Sequence, residues 1–230
     1  MRDLSKLVAL ADRGRQLSGK AHSEPGSLRV RNATGGRTAV MVYGHIGSTW
    51  FDEDGVTSAS FARELSNIGD GGIDLHLNSG GGSVFDAIAM HAALLNHPSD
   101  VVSYVDGVAA SAASFLAMAG QEIVIEKPDK MMIHDASGLV LGNAADMREM
   151  ADLQDELSDT IAGIYADRAG GTVDDWRASM LRTTWYSSAD AVRAGLADRV
   201  ANDRTQTTPE DRRSQLIRAR ARVHLEGRAA

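Results

Sequence analysis

Apolar positions along the chain change their spacing several times, and each change marks the edge of an element. The first strong run, TAVMVYGHI at 38–46, is rich in β-branched and apolar residues and stops at Gly47, which predicts a strand. Past a DEDG loop, Thr57 can cap a helix in which Phe61, Leu65 and Ile68 recur at spacings of four and three, as one buried face requires. A second strand is expected at 73–78, followed at once by SGGGS and a helix over 84–96 capped by Ser83. Val84, Ala87, Ile88, His91, Leu94 and Leu95 line one face of that helix, so His91 reads as a packed or rim histidine rather than a ligand.

A third strand at 101–105 feeds a turn of glycine and alanine, DGVAASAASFLAMAG, in which an apolar helix begins at Ser111. Short strands follow at 122–125 and 131–134, the second ending in His134 before the turn-like DASG. From 143 to about 169 the pattern is a long helix, with Met147, Met150, Leu153, Leu157, Ile161 and Ile164 stepping by three or four. Its methionines suit a partner helix, but a core role is the preferred reading. Helices at 173–181, capped by Thr172, and at 188–194, ending at Gly195, lead to a last strand near 198–200. Strand, small-residue turn and helix repeat, which is the signature of an α/β fold.

Two flanks lie outside this pattern. Residues 1–37 mix charges with Gly and Ser and read as an N-terminal arm, partly helical at best. Residues 201–230 carry seven arginines against four carboxylates and suit a solvated helix and an edge strand equally. The body between them, 38–200, is long enough for one full core. A formal net charge of −7 over 230 residues argues against a nucleic-acid-binding surface. The absence of cysteine removes disulfides, thiolate metal sites and cysteine catalysis. No run approaches a membrane span and the start of the chain has too short an apolar core for a signal peptide, so a cytoplasmic setting without membrane contact is expected.

The chemistry gathers at the turns. At a helix start the first backbone N–H groups lack intrahelical partners, so an oxyanion forming beside Ser111 meets donors already in place. Ala109, Ala110, Ala112 and Ala113 leave room for a substrate backbone. The run Gly80, Gly81, Gly82 has neither the GxxxxGK[ST] nor the GxGxxG spacing of a phosphate cradle, and its other use is to offer a backbone N–H to an oxyanion from the opposite side. His134, at the end of a neighbouring strand, is the candidate general base for Ser111. No metal or organic cofactor is called for.

Three segments, LNSGGGSVFDAIAM, DGVAASAASFLAMAG and MMIHDASG, resemble the family of ClpP proteases, and more closely its branch of head maturation proteases from tailed phages and prophages. The resemblance covers about 40–200. It implies a ClpP/crotonase fold of stacked ββα units with a helical handle at about 136–169, through which rings of subunits pair. It implies Ser111 as nucleophile, His134 as base, and Gly81 and Ala112 as the residues whose N–H groups form the oxyanion hole. It further implies a ring-forming homo-oligomer that cleaves protein without ATP, with scaffold and major capsid proteins as substrates, in a bacterial host and inside a prohead.

One position departs from the family pattern. Aligning WYSSADAVRAGL puts Thr183 where ClpP has the triad aspartate. A threonine hydroxyl can help to fix the imidazole tautomer but hardly stabilises the imidazolium, and losing the carboxylate in another serine protease costs about 10⁴ in turnover. Either Thr183 serves a slow enzyme, or Asp135 or Asp198 substitutes, or the subunit is an inactive structural component of the same fold. A crotonase-type enzyme acting on an acyl-CoA would use two backbone donors and need neither Ser111 nor His134. A serine–lysine dyad would need Lys127 or Lys130, which flank a turn where solvent is the expected neighbour.

Overall fold

The computed structural model describes residues 25–32, 34–48 and 55–201. The readings made for 1–24 and for the tail from 202 onward lie outside the described residues. The fold is mixed α/β, as expected. Among the described residues, eight strands form one sheet: β1 (Ser27–Asn32), β2 (Thr38–Ile46), β3 (Ile73–Gly82), β4 (Val101–Ala110), β5 (Glu122–Ile125), β6 (Lys130–Ile133), β7 (Thr184–Ser187) and β8 (Arg199–Val200). The main path runs β1-β2-β3-β4-β5-β8, parallel from β2 onward, with β1 antiparallel at the edge. β6 pairs in parallel with the end of β4, and β7 pairs antiparallel with β6.

The helices are α1 (Ser58–Leu65), α2 (Val84–Leu95), α3 (Ala112–Leu116), α4 (Ala144–Ala169), α5 (Val173–Leu181) and α6 (Ser188–Ala194). Their starts are fixed as the side chains demand. Thr57 Oγ1 accepts the Ser60 N–H and Ser83 Oγ the Asp86 N–H, while α4 and α5 open on the reciprocal pairs Asn143/Asp146 and Thr172/Asp175.

Strand alternation decides what is buried. On β3, Ile73, Leu75 and Leu77 are fully buried, whereas Asp74 and His76 are half-exposed and Asn78 is exposed. Each of the three apolar side chains contributes about 1.5–3 kcal/mol by leaving water. Phe61 and Leu65 of α1 and Ala87, Met90 and Leu94 of α2 join the same core. The sheet's other face is half-open and polar: Asp106 Oδ2 accepts the Tyr43 hydroxyl at 2.6 Å and lies 2.8 Å from His76 Nδ1, and the His76 ring stacks on Tyr104.

Three expectations need correction. Residues 27–32, read as part of an arm, form β1, because Leu28 and Val30 alternate with exposed Arg29 and Arg31 and pack on the core. β3 and β4 run past 78 and 105 to Gly82 and Ala110, since their small residues carry no apolar period but still pair. On the long helix, Met147 and Leu153 are exposed rather than core. The helix packs on α3 and α5 through its C-terminal half, where Ser158, Ile161, Ala162 and Tyr165 are buried.

Both strands that carry the site are irregular just before it. The β3–β4 register jumps between Leu77↔Val105 and Ser79↔Ala109, so Asp106, Gly107 and Val108 together face Asn78. Gly107 takes φ +107° there. The bulge separates the first part of β4, which pairs β5, from its last three residues, which pair β6. This brings Ala110 beside Met132, one residue short of Ser111 on one strand and two short of His134 on the other.

Candidate active site

Ser111 occupies the single residue between β4 and α3, with φ 52° and ψ −124°. A non-glycine residue in that region costs on the order of 1–3 kcal/mol and persists only where its surroundings hold it. They do so from two sides. The Ser111 N–H donates to the Met132 carbonyl at 2.9 Å, and the Ser111 carbonyl accepts both the Ser114 N–H at 2.9 Å and the Ser114 hydroxyl at 2.6 Å. Ser114 Oγ also lies 2.7 Å from the hydroxyl of Tyr165, a fully buried residue of α4. Ser111 makes no side-chain cap to its helix, and its hydroxyl is turned instead to His134.

His134 follows β6 directly, and its Nε2 lies 2.7 Å from Ser111 Oγ. Burial pushes the imidazole below its ordinary value, while a hydrogen bond to the backbone of Asp135 and the charge of the Asp135 carboxylate push it upward. Burial prevails, so the ring is neutral at pH 7 and its Nε2 can take the proton of Ser111.

The candidates for the third position separate clearly. Thr183 lies across from His134, because the β6–β7 register pairs Ile133 with Thr184 and the next step pairs these two. It is exposed, has φ 52°, and its N–H donates to the Met180 carbonyl. Its hydroxyl makes no hydrogen bond among the described residues. Asp198 is engaged elsewhere: it accepts the Ile123 N–H at 2.7 Å and pairs with Arg168. The Asp135 carboxylate pairs with Arg177 at 3.3 Å, and it acts on His134 at a distance, through its charge. Lys127 and Lys130, which flank the turn before β6, are exposed, as expected.

The glycine turn lies against the serine. A Cβ on Gly81, whose φ is +99°, would stand 2.7 Å from Ser111 Cβ and 2.8 Å from the Ala112 nitrogen, so only glycine fits. Its N–H, however, is taken. It donates to Ser79 Oγ at 3.0 Å, and Ser79 in turn donates to the Gly44 carbonyl at 2.6 Å.

The neighbouring Gly82 is better oriented. Gly82 is opposite Ile46, whose carbonyl accepts the Ser83 N–H. In a parallel ladder the residue between two bonded neighbours turns its own N–H to the other side. The Gly82 N–H therefore faces the β4 edge, where Ser111 stands. Ala112 opens α3, so its N–H has no intrahelical acceptor. Sequence reasoning missed Gly82. The available signal was Ser79, two residues before Gly81, a spacing at which a serine captures a backbone N–H.

No group of three or more His, Asp or Glu side chains that could hold a metal ion occurs among the described residues, and no described helix is long and apolar enough to cross a membrane.

A family model described as Clp protease matches residues 61–204. The match begins within α1, later than the 40–200 over which the motifs resemble the family. Among curated proteins, the chain is 30% identical over 130 residues to the ATP-dependent Clp protease proteolytic subunit 1 of Leifsonia xyli subsp. xyli, covering 56% of this chain and 66% of that protein. It is 31% identical over 137 residues to the protein of the same name in Prochlorococcus marinus, covering 59% and 70%, and 28% identical over 130 residues to that of Mycobacterium bovis, covering 56% and 65%. The chain thus spans about two thirds of the length of the relatives it matches.

Proposed function

The chain belongs to the Clp protease family, and from that premise we propose that it is a serine endopeptidase with Ser111 as nucleophile and His134 as general base. The observation that carries this reading is the 2.7 Å contact between Ser111 Oγ and His134 Nε2, made from a strained strand-to-helix turn. Ser111 Oγ attacks the scissile carbonyl as its proton passes to Nε2. The oxyanion of the tetrahedral intermediate is met by the N–H groups of Gly82 and Ala112. His134 then gives the proton to the leaving amine, and water, deprotonated by the same ring, releases the acyl group.

The finer reading is that the substrates are scaffold and capsid proteins, cleaved without ATP inside a phage prohead by a ring of subunits. The order and wording of the three motif segments support the phage branch. The exposed Leu139, Leu141, Met147 and Leu153, on and just before the N-terminal half of α4, support pairing with further copies of the chain.

A second reading, a structural subunit of the same fold with little activity, is favoured by one observation: no carboxylate is hydrogen-bonded to His134 among the described residues, and Thr183 stands exposed where the family has aspartate. Intact-protein mass spectrometry after treatment with a fluorophosphonate separates the two. A single adduct on the unmodified protein, absent from Ser111→Ala and His134→Ala, is expected. No adduct on folded, assembled protein would put the structural reading first.

A further inference from the structure

We infer that Arg177 is a positioning residue for His134, acting through Asp135; the inference rests on the serine-protease reading above. Arg177 lies on α5, and each of its three guanidinium nitrogens meets a different carboxylate: Nε with Asp159 at 3.0 Å, Nη2 with Asp155 at 3.1 Å and Nη1 with Asp135 at 3.3 Å. Asp155 and Asp159 are one turn apart on α4, whereas Asp135 directly follows His134 in the chain. One side chain therefore ties the backbone beyond His134 to two helices.

Burial ranks these three pairs. Asp155 and Asp159 are 76% and 63% exposed, so their pairs with Arg177 are screened and weak. Asp135 and Arg177 are only 25% and 22% exposed, and theirs is the pair best shielded from water. The outer carboxylates hold the planar guanidinium in place, and the inner one is what it holds. A second anchor lies beside the first. The Ala136 N–H donates to the buried Ser158 Oγ at 2.9 Å, and Ser158 sits on α4 between Asp155 and Asp159.

The segment His134 to Ala136 is thus pinned at two successive residues past the base, Asp135 by Arg177 of α5 and Ala136 by Ser158 of α4. This matters because of what His134 lacks. In a serine protease with a triad carboxylate, that group orients the ring. Here no carboxylate among the described residues is hydrogen-bonded to the ring, so ring orientation is only as firm as the backbone that carries it, from His134 to Ala136. Arg177 and Ser158 supply the firmness, and through them the seating of α4 on the body of the fold reaches the catalytic base. Displacing a catalytic group by about 1 Å can cost on the order of 10²-fold in rate.

The test is the inactivation of the full chain by a fluorophosphonate, resolved into its maximal rate and the probe concentration giving half that rate, with thermal unfolding and sedimentation alongside. Arg177→Met is expected to lower the maximal rate about 10- to 100-fold while leaving the half-saturating concentration within about 2-fold. Arg177→Lys, which keeps the charge but not the three-way fork, should recover part of the rate. Arg63→Met, which removes an exposed arginine of α1 whose side chain makes no hydrogen bond or ion pair among the described residues, is the control and should match the unmodified chain.

A folded, assembled Arg177→Met protein reacting at the unmodified rate would overturn the inference and leave the protease reading intact. So would a lysine variant no faster than the methionine one. If Arg177→Met does not fold or assemble, Asp135→Asn takes its place, since it loosens the same pair and leaves Arg177 paired with Asp155 and Asp159 of α4; a slowed maximal rate supports the inference and an unchanged rate overturns it. An unmodified chain that takes no adduct would remove the protease reading and this inference together.

Discussion

Thr183 faces His134 across the open end of the β6–β7 pair, one step beyond the last paired residues, Ile133 and Thr184. The place for a triad acid is therefore present, and the acid is not. Thr183 also adopts φ 52°, which a β-branched residue tolerates poorly and which aspartate and asparagine accept more readily. Chemistry and backbone both favour a carboxylate there.

Thr183→Asp is accordingly expected to raise peptide-bond hydrolysis by about 10-fold or more, a part of the roughly 10⁴ that a triad carboxylate is worth elsewhere. Its melting temperature should be no lower than that of the unmodified protein. The check is turnover on a fluorogenic peptide beside a thermal melt. A folded variant that hydrolyses no faster would mean that ring orientation, and not imidazolium stabilisation, limits the reaction.

Ser79 ties the glycine turn to β2 by donating to the Gly44 carbonyl and accepting the Gly81 N–H. Ser79→Ala leaves both buried groups without this partner, at a cost of about 1–3 kcal/mol. Urea unfolding should register that loss as a lower midpoint. The hydrolysis rate should fall as well, because the turn that presents Gly82 is no longer braced. A drop in stability with full activity would show that the turn keeps its shape without Ser79.

His134 is held below its ordinary value of 6.5, first by burial, with Asp135 opposing. Hydrolysis needs the neutral ring, so the acid limb of kcat/KM should have its midpoint below 6.5. The stability linkage has the same origin. Between 6.5 and the lower folded value, the unfolded chain binds the proton and the folded chain does not, so this group's contribution is lost as pH falls through that window. His134→Ala should flatten that part of the stability profile. An acid limb at or above 6.5 would assign the rate to another group.

Much of the fold is legible in local patterns. Ile73, Leu75 and Leu77 alternate with polar neighbours and are buried as alternation requires, and Ser83, Thr57 and Thr172 cap the helices they precede. β1 carried a readable signal in Leu28 and Val30, but its arginines and its charged surroundings obscured it. The ends of β3 and β4 could not be read in this way, because Gly80 to Gly82 and Gly107 to Ala110 show no apolar period and owe their strand form to neighbours far along the chain. Met147 and Leu153 repeat at core spacing and yet lie exposed, since spacing records which face of a helix is apolar and not whether anything covers it.

By itself the sequence determined the α/β class, most elements, the capped helix starts, and the choice of Ser111 and His134 as the candidate pair. Each of these depends on residue types within a few positions of one another, or on motifs that resemble a known family. Only the tertiary structure decided that Ser111 and His134 stand 2.7 Å apart, that the Gly82 N–H faces the β4 edge where Ser111 stands, and that Arg177 holds the Asp135 carboxylate. Those outcomes follow from strand register, a bulge at Gly107 and the docking of α4 and α5, which join residues 23 to 42 positions apart. Such contacts form when buried area outweighs the entropy of closing long loops, and that balance leaves no trace in any short stretch of sequence.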